Sequence, residues 1–89
     1  MLEQTVLIQN RLGLHARASA AFVTTAGKFQ SDITLRKGDM TVNGKSIMGI
    51  MMLAASKGTT LVLSVNGEDE AVAMQAIVDL INGYFGEED

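Results

Sequence analysis

The single imidazole of this 89-residue chain is His15, in the run Asn10-Arg11-Leu12-Gly13-Leu14-His15-Ala16-Arg17-Ala18-Ser19. A neutral imidazole has a ring nitrogen free to act as a nucleophile near neutral pH. Arg17 follows closely and brings a guanidinium whose fork fits phosphate oxygens. Gly13 lets the backbone take unusual dihedrals just before the site. The run passes from a loop into an Ala-rich helical stretch, and the first N–H groups of a helix lack internal partners. Together with the helix dipole they form an anion site, over which a phosphoryl group on His15 would lie. The same positive end disfavours an imidazolium and so leaves a ring nitrogen free. A lone histidine at a helix start is more often a surface residue or a cap, and a lone arginine a solvated one. The Gly-x-His-x-Arg spacing improves the functional reading but is short.

The elements that must position these residues follow from hydrophobic periodicity. Gln4 to Gln9 is apolar in its middle and reads as a strand, and Asn10 to Gly13 as a loop. Ala16 to Ala26 places Ser19, Phe22, Val23 and Ala26 on one helical face, with Gly27 ending the helix. Asp32 to Arg36 alternates, with Ile33 and Leu35 on one side. Lys37-Gly38-Asp39 is a turn, and Met40 to Asn43 returns as a hairpin arm. Ile47 to Ala55 is a short helix-like block, stopped by Gly58. Thr60 to Val65 alternates with Leu61, Leu63 and Val65 inward. Glu68-Asp69-Glu70 suits the positive start of a last helix, along which Ala73, Ile77, Leu80 and Tyr84 recur. Gly86-Glu87-Glu88-Asp89 reads as a frayed acidic tail. The order β-α-β-β-α-β-α predicts an α+β fold, an antiparallel sheet with helices on one face.

Composition narrows the function classes. The chain suits one domain, 1–89, with one modest core. It has no cysteine and one histidine, which argues against thiol chemistry and against zinc or iron–sulfur sites. A net charge of −3 and a pI of about 4.9 argue against nucleic-acid binding. Met1-Leu2-Glu3-Gln4-Thr5 lacks the basic start and apolar run of a signal peptide, and no stretch approaches a membrane span, so a soluble cytoplasmic protein is expected. Six methionines stand in the chain; they are either core filling or an adaptable surface for several partners.

Leu12-Gly13-Leu14-His15-Ala16-Arg17 resembles the active-site signature of the HPr family, the histidine-containing phosphocarriers of the bacterial phosphoenolpyruvate:sugar phosphotransferase system. A second stretch, Asn43-Gly44-Lys45-Ser46-Ile47-Met48-Gly49, is similar to that family's regulatory serine region, and the resemblance covers essentially the whole chain. It implies an open-faced β-sandwich with four antiparallel strands and three helices. It implies that His15 accepts a phosphoryl group at Nδ1 from enzyme I, donates it to IIA domains of sugar permeases, and needs no cofactor of its own. Arg17 would steady the phosphoryl group. Most members have Pro directly after the active-site Arg, where this chain has Ala18. Ala keeps the helix but loses about 0.4–1 kcal/mol of preorganisation, and its N–H adds a donor at the site.

Ser46 precedes an apolar block and is expected to cap it. The resemblance adds that HPr kinase/phosphorylase acts on this serine in some bacteria. A phosphate there would favour the helix start and discourage acidic partners. Partners in the family dock on the first two helices, which makes Leu14, Arg17, Ala20, Ile47, Met48 and Met51 the interface candidates, with Ile50 and Leu53 turned inward. Met52 and Met74 remain open as core residues. A relay protein must expose its site to several partners in turn, so a monomer is expected. Two other readings stand beside this one: a nitrogen-related regulatory phosphocarrier, against which the Ser46 region argues, and an unphosphorylated α+β binding module in which His15 is a bystander.

Overall fold

The computed structural model describes residues 1–87. Strand β1 (Leu2–Leu7), helix α1 (Ala16–Ala26), strands β2 (Asp32–Lys37) and β3 (Met40–Asn43), helix α2 (Ile47–Met52), strand β4 (Thr60–Asn66) and helix α3 (Glu70–Asn82) follow in that order. The four strands form one antiparallel sheet in the order β1-β4-β2-β3. Alternation explains its two faces. Val6, Ile33, Leu35, Leu61, Leu63 and Val65 are buried under the helices, and the residues between them are exposed or half-buried on the open face. The register pairs Val6 with Leu61 and Leu35 with Leu63, so inward residues meet inward residues. Lys37 pairs with Met40, leaving Gly38-Asp39 as a two-residue hairpin loop in which Gly38 takes φ +59°. The fold is the open-faced sandwich expected.

Each helix turns one stripe onto this sheet. Ala18, Ser19, Phe22 and Ala26 are the buried stripe of α1, and Val23 is half-buried at its margin. In α3 the buried residues are Ala73, Met74, Ile77 and Ile81. The stripe therefore runs through Ile81, with Leu80 half-buried and Tyr84 beyond the helix. Helix α2 is shorter than its apolar block. It ends at Met52, Leu53 is its C-cap, and Ala54 turns left-handed at φ 49°, well before Gly58. Ile50, Leu53 and Ala55 still reach the core, as an irregular segment.

Of the acidic run, Glu70 stands in the first turn of α3 as expected, while the Asp69 side chain is turned elsewhere. The Asp69 side chain does not cap α3. Its carboxylate accepts from the N–H groups of Gln30 (2.9 Å) and Ser31 (3.0 Å) and from the Ser31 hydroxyl. These bonds, that of the hydroxyl foremost, hold the Asp69 carboxyl below its ordinary value. Glu70 takes the local role, accepting from the Gly67 N–H at 3.1 Å and pairing with the N-terminal ammonium. A carboxylate serves whichever unpaired N–H groups the fold brings nearest, and here the turn after α1 outcompetes the helix to which Asp69 belongs.

Candidate functional site

His15 is the N-cap of α1. Its backbone is extended (φ −74°, ψ −179°), its carbonyl accepts from the Ser19 N–H at 2.9 Å, and its Nδ1 accepts from the Arg17 N–H at 3.2 Å. The ring thus stands at the positive end of the helix with one nitrogen lone pair aimed at an orphan donor. Its side chain is 27% exposed.

The loop that presents it is pinned from two sides. The Gly13 N–H donates to the Asn10 carbonyl at 3.1 Å, and the Asn10 side-chain amide donates to the Gly13 carbonyl at 2.8 Å. The Leu14 N–H donates to the Ala55 carbonyl at 2.8 Å. Gly13 has φ +68°, and a Cβ there would lie 2.4 Å from the Ala55 carbonyl oxygen, so both the dihedral and the contact demand glycine. The segment after α2 therefore sets the position of the histidine loop.

Glu87 lies against the ring's other nitrogen. Its carboxylate contacts His15 Nε2 at 2.5 Å, and its second oxygen accepts from the Asn10 amide at 3.0 Å. It arrives there because Tyr84, Phe85 and Gly86 all take left-handed dihedrals (φ 59°, 55° and 82°), which turn the chain back from α3 towards α1. Two consecutive non-glycine residues in that region cost roughly 1–2 kcal/mol each, and burial of the Phe85 ring, 8% exposed, offsets this. The Asn10 bond is the main influence holding the Glu87 carboxyl below its ordinary value, with the imidazole and Arg17 acting in the same sense. Glu87 is thus docked on the site, not frayed; Glu88 and Asp89 lie outside the described residues. An ionised carboxylate only accepts hydrogen bonds. Nε2 therefore carries the proton, and Nδ1, accepting from Arg17, is the unprotonated nitrogen.

The other expected site residues divide. Arg17 is exposed, and Ala20 is half-buried on the same helix. Ala18 is 1% exposed, its methyl packed into the core. Ser46 is the N-cap of α2, its Oγ accepting from the Gly49 N–H at 3.1 Å. Ile47, Met48 and Met51 are exposed, with Met48 at 74%, and Met52 joins them at 64%. Of the methionines only Met74 is in the core; Met1 and Met40 are exposed as well. Leu14 is a correction. It is 5% exposed and belongs to the core cluster, because the bond of its N–H to Ala55 draws it inward, away from any partner. Leu12, 59% exposed, is the apolar residue that this loop presents. Asn10 and Glu87 were missed as site residues. Glu87 is 72 positions from His15, and no local pattern signals the contact.

A ring nitrogen with a free lone pair at a helix start, on an open-faced sandwich that also exposes Leu12, Met48 and Met52, is an arrangement suited to a group carrier. The model of the family described as PTS HPr component phosphorylation site matches residues 2–83. The phosphocarrier protein HPr of Neisseria meningitidis is 61% identical over 87 residues, 98% of each chain. The crystal structure of HPr from Thermoanaerobacter tengcongensis superposes with a TM-score of 0.96 at 53% identity, covering 100% of both chains. A second crystal structure from that organism, described as an HPr dimer, has a TM-score of 0.79 at the same identity over 98% of this chain and 100% of that one. The chain belongs to the HPr family, the phosphocarriers of the phosphotransferase system, which serve sugar transport through a phosphohistidine.

Among the described residues no helix is long and apolar enough to cross a membrane.

Proposed function

We propose that this chain, acting as one unit over residues 1–89, accepts a phosphoryl group from enzyme I on Nδ1 of His15 and donates it to IIA domains of sugar permeases. The observation that carries the reading is Nδ1 itself: it is unprotonated, at the start of α1, with the Arg17 N–H directed at it. The attached phosphoryl oxygens would meet that helix start, and the Arg17 guanidinium would balance their charge. The protein is a carrier and not a self-contained enzyme. It requires no cofactor, and it works in the cytoplasm as a monomer.

Partners dock on Arg17, Ala20, Ile47, Met48 and Met51, to which the exposure of Leu12 and Met52 adds. Unbranched thioether side chains adapt to differently shaped partners. Ser46 is the regulatory position, open to HPr kinase/phosphorylase. A phosphate on Ser46 would add about two negative charges at the start of α2, inside this docking face. Partners presenting carboxylates would be repelled.

The test is the intact mass after incubation with enzyme I and phosphoenolpyruvate, for the wild type and His15→Ala. One acid-labile phosphoryl group on the wild type and none on the variant is the expected result. No gain on the wild type would remove the carrier reading and leave a binding module. Sizing by light scattering, with and without the phosphoryl group, checks the monomer.

A further inference from the structure

The bond between Glu87 and the ring has a chemical consequence for both directions of transfer. We propose that Glu87, itself held by Asn10, is a positioning residue that keeps the proton on Nε2 of His15 throughout the reaction, so that Nδ1 is the nitrogen that gains and loses the phosphoryl group. The proposal rests on the phosphocarrier reading above and assigns a role to a residue that never touches the phosphoryl group.

The electron balance shows why the proton matters. In charging, the Nδ1 lone pair forms the bond to phosphorus while the donor's bond to phosphorus breaks and its electron pair leaves with the donor. The ring, still protonated at Nε2, then bears a positive charge, which the Glu87 carboxylate faces at 2.5 Å. In discharge, a lone pair of the acceptor forms the new bond to phosphorus while the P–N bond breaks and its electron pair returns to Nδ1, giving back a neutral imidazole. No proton enters or leaves. Without the Nε2 proton, the leaving group would be an imidazolate, a much stronger base and a poorer leaving group. A carboxylate that holds the proton therefore keeps the phosphoryl group transferable.

The surroundings are built for this contact. The left-handed turn at Tyr84-Phe85-Gly86 and the buried Phe85 ring bring Glu87 to the site. The Asn10 amide is completely buried and divides its two N–H groups between the Gly13 carbonyl and Glu87, which ties the carboxylate to the loop that presents His15. The charged and titratable groups on the elements around the ring are Glu87 and Tyr84 on the C-terminal turn, Arg17 on α1, Arg11 on the histidine loop, and Lys57 on the segment packed against Gly13. Glu87 is the carboxylate in contact with the ring.

The experiment charges the wild type and Glu87→Gln with enzyme I and phosphoenolpyruvate, confirms one phosphoryl group by intact mass, and follows spontaneous hydrolysis of the isolated phosphoproteins from pH 6 to pH 9. Glutamine keeps the shape but loses the charge. The expected result is that both proteins charge and discharge alike at pH 6, where water supplies the proton, and that the variant discharges on the order of tenfold more slowly at pH 8 to 9. Asn10→Ala should shift the profile the same way by a smaller factor. Nitrogen-15 spectra of the uncharged ring add a second readout: separate protonated Nε2 and unprotonated Nδ1 signals in the wild type, drawn towards each other in Glu87→Gln. A variant profile that superposes on the wild type, or that is lowered equally at every pH, would overturn the proposal. Failure of the wild type itself to charge would instead overturn the carrier reading.

Discussion

Helices α1 and α2 each begin with a side chain that accepts a hydrogen bond from a backbone N–H. At α2 the cap is Ser46, whose hydroxyl bonds Gly49. At α1 it is His15, whose Nδ1 bonds Arg17. As caps the two are nearly equivalent, and either could be read as local helix chemistry. They differ in what the rest of the chain does to them. The bond made by Ser46 ends within its own helical turn. His15 has a second nitrogen, and that nitrogen is held by Glu87, from the far end of the chain, and through it by Asn10. A cap becomes a chemical site when a distant segment fixes its remaining proton.

The sharpest test of that contrast is the pair His15→Ala and Ser46→Ala. Each should cost about 1 kcal/mol of stability through the lost cap, read from urea denaturation. Charging by enzyme I should vanish in the first and be unchanged in the second. A Ser46→Ala variant that fails to charge while remaining folded would show that the two caps are one site. Gly13→Ala should come next. It places a Cβ 2.4 Å from the Ala55 carbonyl oxygen at a left-handed position, and should cost roughly 1–3 kcal/mol as well as moving the imidazole. The equivalent change beside the other cap, Gly49→Ala, meets nothing closer than 3.3 Å and should be tolerated with little loss of folding.

Met48→Ala probes the docking face and not the fold. At 74% exposure the side chain contributes little to the core. Transfer to a IIA domain should weaken by about 1 kcal/mol, seen as a raised KM for the carrier at unchanged stability. Unchanged transfer would move the docking surface away from α2.

The smallest effect is a pH dependence carried by one end of the comparison only. Glu87 is held below its ordinary value of 4.5, first by the Asn10 bond and further by His15 and Arg17. A carboxyl depressed in the folded state contributes stability that is fully present above 4.5 and is lost as pH falls through its folded value. Urea midpoints measured from pH 6 down to pH 3 should therefore fall less steeply in Glu87→Gln than in the wild type. Ser46→Ala should leave that slope untouched. Equal slopes in the wild type and Glu87→Gln would mean that the carboxylate is not bound to the site in solution.

Much of this was legible from residue order. Alternation at Ile33/Leu35 and Leu61/Leu63/Val65, the helical recurrence of Ser19, Phe22 and Ala26, and the turn at Lys37-Gly38-Asp39 each express a local period or dihedral preference, and each appears in the fold where expected. His15 and Ser46 were legible for the same reason, since a cap is defined by the few residues that follow it. The misplacements have a common cause. Leu14 looked like a docking residue because it neighbours His15, but its N–H is taken by Ala55, across the chain. Asp69 was grouped with Glu68 and Glu70 at the start of α3, but the N–H groups of Gln30 and Ser31 claim its carboxylate.

The methionines show the limit from another side. Hydrophobicity says only that a side chain can be buried; which of Met48, Met51, Met52 and Met74 is buried depends on the helix face that meets the sheet, and only Met74 does. The sequence by itself therefore determined the element order, the sheet's inner face and the histidine at a helix start, because those depend on periods of two to four residues. The tertiary structure alone decided what holds the proton on the other nitrogen of that histidine. The holder is a carboxylate 72 residues away, and a contact at that separation is set by how the helices pack and where the last turn sends the chain.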